Sequence, residues 1–292
     1  MRLRPVERPG DLPAITTLVA ELTELDGHSP LGEHKYLDLL GSGSESVDGL
    51  VVEGDDGALA AYVAASRDQG IWTVELAIHP AQRSRVPSIL DGVAGWVGDA
   101  GGESIRIWAY QDDLAAALDD GGFSVERRLH QLRRKLPAPT PSAIPDGMDL
   151  RPFVAGADEQ DWLALNGSAF SGHPENGSWD AEMLRNRMEQ DWFEPDALLM
   201  LWADPSLAGF CWTKMVDSGV GEIYVIAVDP PRQGAGLGRW LLLAGLQLLV
   251  VRYGANEVML YVDSENGPAQ SLYRSLEFGL DHVDRAFTKE LY

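Results

Sequence analysis

The fold is decided by the stretch QGAGLGR at residues 233–239, which follows an apolar segment ending in Ile226-Ala227-Val228. Residues 221–228 are typical of a strand, and residues 237–253 are typical of a helix. A strand, a glycine loop and a helix in succession place backbone N–H groups where a phosphate can bind. Gly236 and Gly238 let the backbone approach a pyrophosphate, and Arg239 supplies further donors. The stretch predicts a phosphate-binding loop, although an ordinary glycine-rich helix start and a Rossmann loop also fit these residues alone.

A second motif, NGPAQSLYRSLEF at residues 266–278, follows the next predicted strand at 257–262. The two motifs together resemble the Q/R-x-x-G-x-G/A and N-x-x-A-x-x-L-Y-x-x-L-G-F signatures of the GNAT acetyltransferases. The resemblance implies an α/β fold with a mixed α+β sheet, and acetyl-CoA as co-substrate. Glu277 departs from the pattern, because the family has glycine there. The residues that the resemblance implies for acetyl-CoA are Ile226, Ala227, Val228, Gln233, Gly234, Ala235, Gly236, Leu237, Gly238, Arg239, Asn266, Gly267, Pro268, Ala269, Gln270 and Ser271.

Two residues are candidates for acid–base catalysis. Tyr273 matches the family's tyrosine near the CoA sulfur, and a phenol can protonate a departing thiolate because it stays protonated at neutral pH. An amine acceptor is mostly protonated at pH 7, so a base or water-positioning group is also needed. Glu222 is the candidate base, since it opens the strand leading to 226–228, where the family holds the thioester carbonyl with a backbone N–H. A half-buried helix tyrosine and a solvated strand-start carboxylate are the alternatives without the resemblance.

Cys211 is not a candidate nucleophile. It lies in the apolar run FCW at residues 210–212 and has no histidine nearby in sequence. We therefore expect Cys211 in the core.

The sequence contains an internal repeat. MRLRPV at residues 1–6 recurs as MDLRPF at 148–153, and further landmarks recur in the same order and at nearly constant offsets. The paired landmarks are 75–80 with 224–230 and 105–110 with 258–263. Duplication of one domain explains this pattern.

A proline-rich stretch separates the two copies. Residues 136–145 carry prolines at 137, 139, 141 and 145, which neither extend a helix nor join a central strand. We expect two tandem GNAT domains: an N-terminal domain at 1–136 with a degenerate acetyl-CoA loop, a linker at 137–147 and a catalytic domain at 148–292. Each half is predicted to run strand, helices, hairpin, long strand, helix, strand and helix. In the second half the hairpin pairs 197–203 with 207–216 through a turn at 204–206.

Nearly the whole chain resembles the mycothiol synthases, a tandem-GNAT family of actinobacteria. The segments that carry this resemblance are 170–179 (FSGHPENGSW), 209–214 (GFCWTK), 221–224 (GEIY) and 260–266 (LYVDSEN). That family acetylates the cysteinyl amine of 1D-myo-inositol 2-(L-cysteinylamino)-2-deoxy-alpha-D-glucopyranoside to give mycothiol and CoA, the last step of mycothiol synthesis. The resemblance implies that the acceptor contacts Glu33, Glu175, Lys214, Glu222 and Tyr261. Carboxylates suit such an acceptor, because they accept from hydroxyls and attract an ammonium.

The N-terminal half departs from the GNAT pattern at the decisive places. Its counterpart of the glycine loop is QRSRVPS at residues 82–88, which has no glycine and includes a proline without an N–H. Asp119 stands in the place of Tyr273. Our hypothesis is that this half does no chemistry, binds CoA weakly or not at all, and walls the acceptor cleft with Glu33 reaching in.

Composition excludes several other classes. A net charge of -22 repels nucleic acid and also CoA, so a CoA site must depend on local backbone geometry, whereas the same charge attracts amines. The six histidines and one cysteine lack the spacing of a metal site. The longest apolar run, 240–251, is far short of the roughly 20 residues of a membrane span. Without a secretory signal at the N-terminus, we expect a cytoplasmic monomer with small-molecule substrates and no metal.

Two alternatives stay open. One is a GNAT enzyme that acetylates another small polar amine, such as an aminoglycoside-like sugar or a polyamine. The other is a non-catalytic acyl-CoA-binding sensor, which the presence of Tyr273 and Glu222 disfavours.

Overall fold

The computed structural model describes residues 2–7, 9–41, 47–54, 57–68, 71–172 and 177–291. The chain forms two compact units, the first made of Met1–Leu129 with Val283–Tyr292 and the second of His130–His282. The elements of the first half are β1 (Arg2–Pro5), α1 (Leu12–Asp26), α2 (Glu33–Leu40), β2 (Val47–Glu53), β3 (Leu59–Asp68), β4 (Ile71–Ile78), α3 (Val86–Asp99), β5 (Ser104–Ala109), α4 (Asp112–Asp120) and β6 (Ser124–Lys135). Those of the second half are β7 (Asp149–Pro152), α5 (Glu159–Ala169), α6 (Ala181–Met188), β8 (Leu198–Ala203), β9 (Ser206–Asp217), β10 (Val220–Val228), α7 (Leu237–Tyr253), β11 (Glu257–Asp263), α8 (Gly267–Ser275) and β12 (Gly279–Glu290).

The two units share one strand order. In the first unit the strands run β1-β2-β3-β4-β5-β12, and in the second β7-β8-β9-β10-β11-β6. In both, the central strand is antiparallel to the strand before it and parallel to the strand after it. The predicted mixed α/β architecture is therefore confirmed, as are the hairpin of β8 and β9 and the helix at 237–253.

The strands that complete the two sheets do not follow the order of the repeat. Strand β12 comes at the end of the second half, yet its residues from Arg285 to Glu290 pair with β5 of the first unit. Strand β6 comes at the end of the first half, yet its residues from His130 onward belong to the second unit, where β6 neighbours β11. The compact units therefore divide the chain differently from the expected limits at 136 and 148.

The proline-rich stretch is part of the second unit. The indole N–H of Trp240 on α7 donates to the carbonyls of Ser142 and Ala143, both at 3.1 Å. The backbone N–H of Leu136 donates to the carbonyl of Asn256. These hydrogen bonds hold the stretch against helix α7 and the start of β11.

Successive residues of β9 point to opposite faces of the second sheet, as expected for a strand. Cys211 packs with α7, whereas Phe210 and Trp212 pack with α5 and α6 in a cluster of aromatic side chains. Cys211 is fully buried, and burial raises the pKa of its thiol to about 12. The prediction that Cys211 lies in the core is confirmed.

Helix α7 lies very close to the sheet, and Gly245 permits this approach. A Cβ atom at Gly245 would lie 2.5 Å from the sulfur of Cys211. The close packing fixes the axis of α7, and hence its N-terminus, relative to β9 and β10.

Helix α8 ends in a Schellman motif. The N–H of Phe278 donates to the carbonyl of Tyr273, the N–H of Glu277 donates to that of Arg274, and the rings of Tyr273 and Phe278 lie 5.7 Å apart. Glu277 has a φ of 62°, the only positive φ of a non-glycine residue in the described part of the chain. The motif explains the family pattern, since glycine is the residue that adopts this conformation without strain. The turn forms here despite the glutamate.

Among the described residues, no helix combines the length and the apolar character that crossing a membrane requires.

We predict that Glu277→Gly is more stable than Glu277→Ala by about 1 kcal/mol, because only the second variant keeps a Cβ in the left-handed conformation. Both variants remove the carboxylate, which is 87 % exposed and 3.9 Å from Arg134, so this contact cancels in the comparison. Urea unfolding of the two proteins measures the difference. Equal midpoints and slopes would contradict a strained turn.

Candidate active site

The central strand of the second unit, β10, is paired unequally on its two sides. Its antiparallel ladder with β9 extends to Val228, opposite Gly209. Its parallel ladder with β11 ends after three pairs, the last joining Glu222 to Met259. Within the described second unit, residues 226–228 therefore lie outside the β11 ladder. Backbone N–H groups on that side are available to a ligand.

The glycine loop connects β10 to α7. Gly234 and Gly236 have φ values of 82° and 83°, which glycine adopts without a steric cost. Gly238 is helical, and a Cβ there would meet only Val228 and Leu272 at ordinary contact distances. No side chain of the described residues caps the start of α7, so its first N–H groups remain available for an anion.

Two polar side chains of the loop are bound within the protein. The amide of Gln233 donates to the carbonyl of Val228 at 3.2 Å, and Arg239 donates to the hydroxyl of Ser275 at 2.7 Å. Both contacts fix the loop against its neighbours. The roles of Gln233 and Arg239 toward a pyrophosphate remain predictions.

The start of α8 is also fixed by side chains of the predicted set. The side chain of Asn266 accepts from the N–H of Ala269 as the N-cap of α8. Gln270 donates to the carbonyls of Asp263 and Ser264. Gly267, Pro268 and Ser271 are exposed.

Tyr273 lies in the core of the second unit and is only 6 % exposed. It belongs to the same cluster as Val228 at the end of β10 and Leu237 at the start of α7. Burial, with a smaller contribution from Cys211, raises the pKa of the Tyr273 phenol above its ordinary value. The phenol is therefore protonated at neutral pH, as a general acid must be.

Glu222 and Lys214 are directly opposite each other on β10 and β9. The ammonium of Lys214 lies 3.5 Å from the carboxylate of Glu222, and both side chains are nearly buried, at 10 and 9 % exposure. The same ammonium lies 4.1 Å from the ring centre of Tyr224 and 4.6 Å from that of Trp192. The sequence prediction thus named two residues that the fold brings together, but not the aromatic rings around them.

A β-bulge places Tyr224 in this cluster. The register of β10 against β9 shifts between Ile223, opposite Thr213, and Val225, opposite Trp212. Tyr224 is the extra residue, and its ring lies 5.2 Å from that of Trp212 in an edge-to-face contact. The only sequence signal is that the repeat landmark 224–230 is one residue longer than its counterpart 75–80.

The remaining predicted acceptor contacts lie on other elements or outside the described residues. Tyr261 on β11 is partly exposed, and its hydroxyl accepts from the amide of Gln131 at 2.7 Å. Glu33 is the first residue of α2 in the first unit and is half-buried. Glu175 lies outside the described residues. The roles of these residues remain predictions.

The first unit has a closed counterpart of the loop. A short 3-10 turn at Pro80–Arg85 precedes α3, and Arg83 in this turn contacts Asp26 at 3.0 Å and Asp113 at 3.2 Å. These residues line a cavity of about 20 Å³, which holds little more than one water molecule. Strand β4 pairs with β3 in an unbroken register, so the bulge of β10 has no counterpart here.

The open side of β10, the glycine loop at α7 and the buried phenol on α8 define an acetyltransferase domain of the GNAT class. The model of the Acetyltransferase (GNAT) family matches residues 161–278. A GCN5-related N-acetyltransferase from Sphaerobacter thermophilus shares the fold with a TM-score of 0.71 at 24 % identity, covering 99 % of this chain and 95 % of that one. A tandem GNAT protein of the clavulanic acid pathway has a TM-score of 0.77 at 15 % identity, covering 100 and 98 %. The fold of two tandem GNAT domains is confirmed.

Sequence relatives narrow the class. The mycothiol acetyltransferase of Thermobispora bispora is 40 % identical, with 97 % of this chain and 98 % of the relative covered. That of Acidimicrobium ferrooxidans is 36 % identical, with 97 and 96 % covered. The chain belongs to the mycothiol acetyltransferase family, and the resemblance read from the sequence is confirmed.

We predict that Tyr273→Phe lowers kcat by about 10²- to 10⁴-fold, the usual contribution of a general acid, with little change in acetyl-CoA affinity. Steady-state kinetics and calorimetric titration with acetyl-CoA measure the two quantities. Tyr253→Phe is the matched control, because it removes a phenol that donates to Glu194 at the far end of α7. Unchanged turnover in Tyr273→Phe, or an equal loss in Tyr253→Phe, would contradict the role of Tyr273.

Proposed function

We propose that this chain transfers the acetyl group of acetyl-CoA to the cysteinyl amine of 1D-myo-inositol 2-(L-cysteinylamino)-2-deoxy-alpha-D-glucopyranoside, giving mycothiol and CoA. The observation that carries the proposal is the similarity to mycothiol acetyltransferases over nearly the full length of both chains. The paired Glu222 and Lys214 support it, because GFCWTK and GEIY, the segments that hold them, are among those that resemble this family.

The acetyl-CoA site fits the second unit. The start of α7 supplies N–H donors for the pyrophosphate, residues 226–228 supply backbone donors for the pantetheine arm and the thioester carbonyl, and Asn266 begins the helix beside them. When bound, acetyl-CoA supplies the activated acetyl group. All other steps of the reaction depend on groups of the protein.

Glu222 and Tyr273 divide the proton transfers. Glu222 accepts a proton from the ammonium form of the acceptor, directly or through water, so that the nitrogen lone pair can form the new C–N bond to the acetyl carbon. As the amide forms, the nitrogen loses its second proton to solvent, and Glu222 then releases to solvent the proton that it accepted. Tyr273 donates its phenolic proton to the sulfur as the C–S bond breaks, and the proton is then replaced from solvent. Lys214 and Tyr261 contact the acceptor, and the contacts implied for Glu33 and Glu175 rest on the resemblance alone.

The test of the proposed function is to mix the protein with acetyl-CoA and the cysteinyl pseudodisaccharide and to follow the products by mass spectrometry. We expect the acceptor to gain one acetyl group and CoA to be released in equal amount. Turnover of simple amines without turnover of this acceptor would favour the alternative of another small polar amine. CoA binding with no transfer to any amine would favour a sensor.

We further propose that acetyl-CoA has one functional site per chain, in the second unit. The ion pairs of Arg83 with Asp26 and Asp113, the proline at position 87 and the lack of glycine at residues 82–88 support this, since the second unit has its glycine loop at this place. Isothermal titration with acetyl-CoA is expected to give one site per chain. A titration that gives two sites per chain, with binding lost completely only when both units carry variants, would contradict the degeneracy of the first unit. A cytoplasmic location and a monomeric state remain expectations from the sequence.

A further inference from the structure

Arg187 is a buried cation that the proposed reaction does not use. It lies in the last turn of α6 and is 5 % exposed, three residues after Leu184, which packs in the aromatic core. The side chain of Asp180 caps α6 by accepting from the N–H of Met183, which fixes the helix at its other end. Burying a guanidinium costs desolvation free energy, which its partners must offset. The contacts of Arg187 therefore indicate its role.

Contacts of Arg187 with Tyr224, Met183 and Trp179 orient it toward β10. Its Nε donates to the hydroxyl of Tyr224 at 3.0 Å, one terminal nitrogen donates to the carbonyl of Met183 at 3.0 Å, and the guanidinium lies 4.1 Å from the ring centre of Trp179. The bond to Met183 ties the side chain to its own helix, and Trp179 supports one face of it. Nε is thereby directed at the bulged tyrosine.

Tyr224 passes this constraint on to Lys214. Tyr224 has no directly opposite residue on β9, and its ring packs edge to face against Trp212 and Trp192. The hydrogen bond from Arg187 fixes the hydroxyl, and the face of the ring then holds the Lys214 ammonium at 4.1 Å. Such a cation–π contact is stronger when it is desolvated, and it restricts the rotamers of the lysine side chain.

The position of the Lys214 ammonium affects how Glu222 can act as a base. The distance of 3.5 Å between ammonium and carboxylate exceeds the about 2.7–2.9 Å of a charge-assisted hydrogen bond. At that distance Lys214 stabilises the charged carboxylate while the rings of Tyr224 and Trp192 draw the ammonium away from it. In the proposed reaction Glu222 accepts the proton of the acceptor amine, so the place of the Lys214 ammonium beside it bears on that step.

We propose that Arg187 is a positioning residue for the acceptor half of the reaction, acting through the ring of Tyr224 on the Lys214–Glu222 pair. The inference rests on the proposed role of Glu222. The proposal predicts that loss of Arg187 lowers turnover of the amine and leaves the KM for acetyl-CoA unchanged. The reason is that the start of α7 and residues 226–228 are held by other contacts.

A double-mutant cycle tests the proposal. We expect Arg187→Gln and Tyr224→Phe each to lower kcat by about 10- to 100-fold, the scale of a small misplacement of a catalytic group. The double variant should be no slower than the slower single variant, because the two changes break one hydrogen bond. The KM for acetyl-CoA should stay unchanged in all three. The acceptor is the pseudodisaccharide or, if the wild type does not use it, any amine that the wild type acetylates.

Arg151→Gln is the matched control. Arg151 also lies over a tryptophan, 4.8 Å from the ring centre of Trp202, and is ion-paired to Asp158, but it belongs to the edge strand β7. It should lower the melting temperature and leave kcat unchanged. Additive losses in the cycle, a kcat within twofold of wild type in Arg187→Gln, or an equal loss in Arg151→Gln would overturn the positioning role. Loss of the proposed function is distinguished from these outcomes, because it shows in the wild type itself.

Discussion

Strand β10 is hydrogen-bonded to β9 along its length but to β11 only at its first residues, and the site depends on this one-sided pairing. Where the β11 ladder has ended, backbone donors at 226–228 are free to bind a ligand instead of a neighbouring strand. The β-bulge at Tyr224 also lies beyond the end of the β11 ladder. A bulge changes the direction of side chains where the pairing of two strands is disturbed. A fully paired β10 would provide neither the open backbone nor the ring against which Lys214 rests.

Local signals in the sequence were sufficient for the elements that carry the glycine loop. Helix α7 was predicted at about its observed bounds, directly after the glycine loop. In the structure Gly236 and Gly254 flank the helix, and both have positive φ. The turn of the β8–β9 hairpin was evident from its proline. Glu222 and Lys214 were named from a family resemblance, and their pairing follows from the register of two adjacent strands.

The parts that could not be predicted depend on contacts between distant residues. Arg187 lies in a short, polar helix, where a charged residue ordinarily faces solvent, and only the tryptophan-rich core around it accounts for its burial. Tyr224 breaks the two-residue alternation of a strand, so a periodic pattern assigns its neighbours to the wrong faces. The spatial order of β6 and β12 is likewise invisible to a local pattern, since each strand is of ordinary composition for its position.

The connection between the central strand and the following helix differs between the two units. In the second, no side chain in the described part of the chain caps the start of α7, and the partial positive charge of the helix start favours an anion there despite the net charge of -22. In the first, the corresponding turn carries Arg83, whose charge is satisfied by Asp26 and Asp113. Electrostatics inside each unit, rather than the overall charge, separates an open site from a closed one.

The placement of β6 and β12 has a consequence for the history of the chain. A simple duplication yields two copies that can be lost separately, but here each unit takes its sixth strand from the other half of the sequence. Deleting the first half would remove β6 and leave β11 as an unpaired sheet edge, which invites association with other chains. Selection for the second half therefore also preserves the residues of β6, because a strand of the first half completes the sheet of the second unit.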